Sequence, residues 1–328
     1  MRRAAILVGS LVVLLLVSFL GLGFGSSSLS PVDLFQMLTG STDNTTTQTI
    51  FVNIRLPRVL GALLAGAALA VSGCIIQAVL NNPLASPNII GVNTGAGLAV
   101  LAVSALFPAL LFLLPLAAFF GALAAALIIM GIATGGGVSR LTLVLAGIAI
   151  TTIFTAGMNA VLIIYPDAYV GAGTFLVGGL SGLTLERITA PFIYILIGLV
   201  LAFISGKALN IISLGEETAQ ALGMNVNLRR FLLIALAALL AGAAVSFAGL
   251  LGFVGLIVPH VGRYLLGPDN RLLLPASAVI GAVFVAACDL CSRVVFAPYE
   301  MPVGICMALI GGPFFIFLII RYRKSSYD

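Results

Sequence analysis

Asn53-Ile-Arg-Leu-Pro-Arg58 opens into a long apolar run over 59–80, and the run closes on Asn81-Asn-Pro-Leu-Ala-Ser-Pro87. A helix needs about 20 apolar residues to cross the hydrocarbon core of a bilayer, so this stretch predicts a membrane span with two arginines at its mouth. Pro57 suits a first helical turn, where its missing N–H costs nothing. Asn82-Pro83 and Ser86-Pro87 bias the chain out of the helix and into a braced turn. Charge is expensive near lipid, so Arg55 and Arg58 serve either as anchors or as contacts for a partner.

The rest of the chain has the same character. It is 61% hydrophobic and 8% charged over 328 residues, where a soluble protein carries about 25% charged residues. Too few charges remain to cover a soluble surface, so this is an integral membrane protein. Strand alternation is absent, and helices rather than a barrel satisfy the backbone in lipid. Ten candidate spans emerge: 4–24, 58–80, 91–107, 109–133, 141–164, 190–207, 229–250, 254–266, 273–296 and 303–320. With the N-terminus inside, eleven of the 15 Lys and Arg residues fall on the inner side; Arg55, Arg58, Arg187 and Arg293 fall outside. That bias predicts an all-α polytopic protein with both termini cytoplasmic. The net charge of +5 fits loops beside anionic lipid, not nucleic acid. Met1-Arg-Arg3 imitates the start of a signal peptide, but 4–24 is long enough to span and no clear cleavage site follows, so it reads as a retained first helix. Segment 254–266 rises only about 20 Å against a core of about 30 Å and holds Pro259; it reads as a short or broken helix packed within protein. A single domain fills 1–328.

Three connections stand out. The outer segment 25–57 is rich in Ser and Thr and predicts a short helix near 31–38. The outer segment 165–189 is rich in glycine. The inner segment 208–228 contains Leu214-Gly-Glu-Glu-Thr-Ala-Gln-Ala-Leu-Gly223, which reads as a short isolated helix. Glu216 and Glu217 sit in its first turn, where the helix dipole favours them, and Gly223 can end it. Such a helix lies on the membrane or docks to a protein; its acidity favours docking, since interfacial helices are usually basic.

Other constellations carry two readings each. Gly66, Ala70, Gly73 and Gln77 form one helical stripe, either a helix–helix seam or the border of a polar path. The 81–87 turn is a rigid connector or a surface that supports a partner. Asp289 and Arg293 are four apart and can neutralise each other; the competing reading is a proton relay. His260, the one histidine, follows Pro259 and either bonds a freed carbonyl or titrates. Cys74, Cys288, Cys291 and Cys306 all lie in apolar segments and read as packing thiols rather than metal ligands. The chain has no G-x-x-x-x-G-K-[ST] loop, no H-E-x-x-H and no credible Ser/His/Asp set. The missing catalytic set argues against the rival reading of a membrane-embedded enzyme, and the missing phosphate loop means that this chain does not itself collect energy from ATP.

Three ordered signatures then give the chain a likeness. The first is Arg55-Leu-Pro-Arg58 with Gly66-Ala67, Ser72-Gly73, Gln77, Asn82-Pro-Leu-Ala85, Pro87 and Gly91. The second is Phe253-Val-Gly-Leu-Ile-Val-Pro-His260 with Arg263. The third is Pro302-Val-Gly-Ile305 with Ala308-Leu-Ile-Gly-Gly-Pro-Phe-Phe315. Together they resemble the FecCD/BtuC-type permeases of ATP-binding-cassette (ABC) importers for iron–siderophore complexes, haem and cobalamin, over nearly the whole chain. The resemblance implies a type II importer permease fold of ten spans in a bacterial cytoplasmic membrane. It implies a homodimer with a substrate path on its axis, two cytoplasmic ATPase subunits and an extracytoplasmic substrate-binding protein. No cofactor is implied for this chain, since ATP and magnesium belong to the ATPase. The implied cargo is a ferric siderophore or haem, with cobalamin as the alternative; an ion-coupled secondary transporter is the rival from another class, with Asp289 its sole candidate carboxylate.

The resemblance also carries roles over to residues. Arg55, Arg58 and Arg293 occupy places that receive glutamates from the binding protein. Leu214, Glu216, Glu217, Ala219, Leu222 and Gly223 belong to the coupling helix that sits on the ATPase. Gln77 borders the path, and Gly135 and Ser139 lie where such permeases have a cytoplasmic gate. The chain departs from the family pattern at Asn81, often Arg, and at Ser86, often acidic; it also lacks tryptophan altogether.

Overall fold

Each of the ten apolar runs folds as a helix. The computed structural model describes residues 2–25, 45–134, 140–297 and 299–325; the short helix expected near 31–38 lies outside them. The first helix is α1 (Arg2–Gly23). A five-residue helix, Thr45–Thr49, and a π-helical turn, Ile50–Arg55, run directly into α2 (Leu56–Leu80). Then come α3 (Val92–Leu106), α4 (Leu114–Thr134), α5 (Arg140–Ile164), α6 (Ala168–Val177) and α7 (Leu185–Ile204). The chain continues through α8 (Gly206–Ser213), α9 (Glu216–Ala221), α10 (Val226–Ala248), α11 (Val254–Leu266), α12 (Asn270–Val294) and α13 (Val303–Ser325). No strand occurs among the described residues.

Seven helices among the described residues are long and apolar enough to cross a bilayer, and α3, α6, α11 and the apolar part of α13 are shorter. α6 was not anticipated: hydropathy reads its glycine-rich sequence as loop, but helix is the form in which its backbone can be buried beside α3 and α5. α7 starts earlier than the expected 190, because Leu185-Glu-Arg187 forms an amphipathic first turn that a search for apolar runs passes over. The stretch 206–228 holds two short helices, α8 and α9, rather than the one expected.

α2 is the central element, packed against α12, α10 and α11. Close backbone approach makes this possible. A Cβ on Gly66 would fall inside the carbonyl of Gly281 on α12, and one on Gly73 inside that of Gly255 on α11. Lipid tails are as apolar as leucine, so small residues and van der Waals contact hold such helices together. The stripe Gly66, Ala70, Gly73 and Gln77 is therefore a helix–helix seam. α1 stands at the edge, with Val8, Leu11, Val12, Leu15 and Leu16 exposed on a purely apolar face.

The bundle has two distinct ends. At one, the C-terminus of α1 meets the start of α2 and the end of α12, with Gly25 beside Arg55 and Arg293. At the other, Arg3 approaches Gly267 and Gly206 packs on Arg271. There Asn210 donates to Asp269 at 2.7 Å and accepts from the backbone N–H of Asn270 at 2.8 Å, clamping α8 to the start of α12.

Candidate functional site

Arg55, Arg58 and Arg293 converge on one buried network. Asp289 on α12 is 1% exposed and accepts from Arg58 Nε at 2.9 Å, while its second oxygen pairs with Arg293 at 3.1 Å, one turn along the same helix. Arg58 also reaches Glu300 at 2.6 Å. Arg293 donates to the carbonyls of Gly21 and Phe24, both at 3.1 Å. Arg55, the last residue of the π-helical turn, donates to the carbonyls of Leu22 and Gly23. α1 has no basic residue in its own last turn. Its unsatisfied carbonyls and negative dipole end are met instead by two distant guanidinium groups.

Arg55, Arg58 and Arg293, expected to receive carboxylates from a partner, are engaged within the chain itself. The three are 3%, 5% and 3% exposed, and every guanidinium is already engaged. The pairing of Asp289 with Arg293 is as expected; Glu300 and the end of α1 are partners that sequence reasoning missed.

Beside this network lies a cavity of about 550 Å³. Arg58, Arg187 and Glu300 contribute charge, and Thr174, Ser181 and Ser246 contribute hydroxyls. Its walls are tied by backbone bonds between elements distant in sequence. Gly179 donates to Ala248 at 3.0 Å, Leu250 to Phe175 at 2.9 Å and Gly304 to Gly178 at 3.1 Å, so α6 locks to the end of α10 and the start of α13.

At the opposite end α9 projects from the bundle. Leu214 and Leu222 are 64% and 62% exposed on either side of it, and Glu217 also faces out. Ala219 is fully buried and holds the helix against the body. Gly215 and Gly223 take φ values of +111° and +79°, which only glycine adopts at little cost, and they set the sharp turns into and out of α9. Glu216, half-exposed, pairs with the buried Arg230 on α10 at 3.1 Å. The six residues expected to act together thus divide into an exposed set and an anchoring set. Nearby, Asp269 accepts from Asn210, and this bond above all, helped by the backbone N–H of Arg271, holds its carboxyl below the usual carboxylate range.

Gln77, expected beside a path, bridges two elements inside the chain. It is 2% exposed and donates to the carbonyls of Ala85 at 3.0 Å and Gly255 at 3.1 Å, while its oxygen accepts from Arg263. One side chain therefore braces the 81–87 turn against α11. Asn81 closes α2 in the left-handed region, at φ +49°, which asparagine tolerates better than arginine; this accounts locally for the departure at that position. His260 stacks edge-on to Phe314 at 6.2 Å, joining α11 to α13. Cys74, Cys288 and Cys306 are buried, Cys291 is exposed, and all four thiols are free. Gly135 and Ser139 lie outside the described residues.

One further feature was missed from sequence. α5 exposes Thr142, Thr152, Thr155 and Asn159, whereas the middle of α1 exposes Val8, Leu11, Val12, Leu15 and Leu16 and the middle of α7 exposes Phe192, Ile193, Leu196 and Ile197. Thr152 and Thr155 satisfy their hydroxyls on the carbonyls four residues back. The spacing of 152, 155 and 159 is a helical signal that could have found the stripe, had polar rather than apolar periodicity been followed.

A family model described as the FecCD transport family matches residues 13–321. The chain is 39% identical to the Fe(3+)-citrate import system permease protein YfmE of Bacillus subtilis, covering 94% of this chain and 92% of that one. It is 38% identical to the hemin transport system permease protein HmuU of Yersinia pestis, covering 98% and 97%. Among solved structures, a metal-chelate type ABC transporter in an inward-facing conformation superposes with a TM-score of 0.86 at 29% identity, over 97% of this chain and 99% of that one.

Proposed function

The chain belongs to the FecCD transport family, and from that premise we propose that it is the membrane-spanning permease subunit of an ATP-driven importer that carries a ferric chelate, a ferric siderophore or haem, into the cytoplasm by alternating access. The observation that carries the reading is α9. It is a short helix held outside the bundle with two large apolar side chains exposed beside it, and that cost in solvation is recovered when a partner covers Leu214 and Leu222. The partner is an ABC ATPase, which binds ATP and magnesium. The excess of arginine and lysine at this end supports a cytoplasmic position for it and for both termini.

A second copy of the chain completes the path. Hydroxyl and amide groups gain nothing from facing acyl chains, so the Thr152, Thr155 and Asn159 face of α5 turns toward the partner copy and lines a weakly polar route. The end that holds the cavity faces outward and meets the substrate-binding protein through its exposed rim, Arg187 and Glu300 included. Arg55, Arg58 and Arg293 support that rim from within. Iron chelates are favoured because permeases for ferric citrate and hemin are similar to this chain over nearly its full length.

The test is reconstitution of the permease in lipid vesicles with its ATPase and binding protein, probed with radiolabelled ferric citrate, ferric hydroxamate, haemin and cobalamin. ATP-dependent accumulation of an iron probe is the expected result. Accumulation of cobalamin alone would reassign the cargo. Uptake driven by a proton gradient without ATP would overturn the importer reading and leave an ion-coupled transporter.

A further inference from the structure

Arg230 is fully buried near the N-terminal end of α10, and its guanidinium pairs with Glu216 of α9 at 3.1 Å. The positive end of the helix dipole opposes a cation in the first turns. Burial removes the hydration of Arg230, whereas the Glu216 side chain stays 42% exposed, so the pair repays that cost only in part. The residues around the pair show what it does provide. Glu216 is the first residue of α9, Ala219 of the same helix is packed into the body, and Met224 donates back to the Ala219 carbonyl at 3.1 Å. Asn225 then caps α10 through the N–H of Leu228 at 3.1 Å. α9 is thereby fixed to α10 at both its start and its end.

α10 has no internal proline and runs 23 residues, a rise of about 33 Å from one end of the bundle to the other. At its far end Ser246 and Phe247 line the cavity beside Arg58 and Glu300. We propose that the Glu216–Arg230 pair is a positioning latch that makes α9 and α10 one rigid lever, so that motion of a docked ATPase is delivered across the membrane to the walls of the outer cavity. The inference rests on the importer reading above. It assigns Glu216 and Arg230 to transmission and leaves docking to Leu214, Glu217 and Leu222.

The test is the double variant Glu216→Gln with Arg230→Met, which removes both charges and strands neither. It is compared with the parent in proteoliposomes that hold the ATPase and binding protein, with ferric citrate, ferric hydroxamate and haemin as probes. The expected result is retained thermal stability, retained co-purification of the ATPase and ATP hydrolysis near the parent rate, with uptake per ATP lowered about tenfold, a size typical of coupling between two sites. The charge-keeping variant Glu216→Asp should restore part of that loss. Parental uptake per ATP in the double variant would show the pair to be structural only and overturn the inference, as would loss of ATPase co-purification, which would place the pair in docking. A parent that shows no ATP-dependent uptake would overturn the importer reading itself, and the latch with it.

Discussion

At one end of the bundle, three arginines and two acidic residues are closed on one another and on the carbonyls of α1, and the arginines are at most 5% exposed. At the other end, α9 keeps one carboxylate for an internal arginine and leaves two leucines and a second carboxylate in the open. The first end uses its charges to hold helices together; the second withholds apolar surface from the core. The difference teaches where an outside partner can act. A network whose members are all engaged resists a newcomer, because each buried charge must lose one partner before it gains another. An exposed leucine resists nothing and gains by being covered.

The comparison can be broken most forcefully at Asp289. Asp289→Ala leaves Arg58 and Arg293 buried without their shared carboxylate, and loss of one partner of a buried pair costs about 3–5 kcal/mol. Thermal unfolding in detergent should shift accordingly or the folded yield collapse; a variant as stable as its parent would show that the network does not hold this end. Next in size is Gly66→Ala, which drives a methyl group into the backbone of α12. Overpacking of that kind costs about 1–3 kcal/mol, visible by the same unfolding measurement, and an unchanged midpoint would mean the seam is loose.

The α9 end should behave in the opposite way. Leu214→Ser with Leu222→Ser removes exposed side chains, so stability should stay within about 0.5 kcal/mol of the parent while ATPase co-purification falls. Full retention of the ATPase would mean these leucines are not covered by it. The smallest effect belongs to Asp269. Its carboxyl is held below its unfolded value near 4, so its contribution is present above about pH 4 and is lost as pH falls through the lower folded value. The group is solvated, so the effect is slight. Asn210→Ala should flatten the acid limb of a stability–pH curve, and an unchanged limb would remove Asn210 as the cause.

Much of the fold was legible from composition. All ten expected spans are helices, because a run of apolar residues in lipid has few other ways to satisfy its backbone. α6 was not legible, since ten residues of small and apolar character read equally as loop until α3, α5 and the end of α10 are known to surround them. α9 was legible in place and type from its two glycines and its acidic first turn, but not in its division of labour. Glu216 and Glu217 are adjacent and chemically alike; one faces Arg230 and the other solvent, and only the direction in which α9 lies on α10 separates them.

The sequence by itself determined a helical membrane protein, the position of its apolar helices, the shortness of α11 and the family to which the chain belongs, since each of these depends on local apolar length, on local turn residues or on ordered motifs. The fate of the charged and polar side chains was decided by tertiary structure alone. Arg58 and Asp289 are 231 residues apart in sequence, Gln77 and Arg263 are 186 apart, and Arg55 reaches back 33 residues to cap a helix it does not belong to. In a medium that offers no water, a polar group goes wherever a partner is brought to it, and where that happens is a property of how the helices pack.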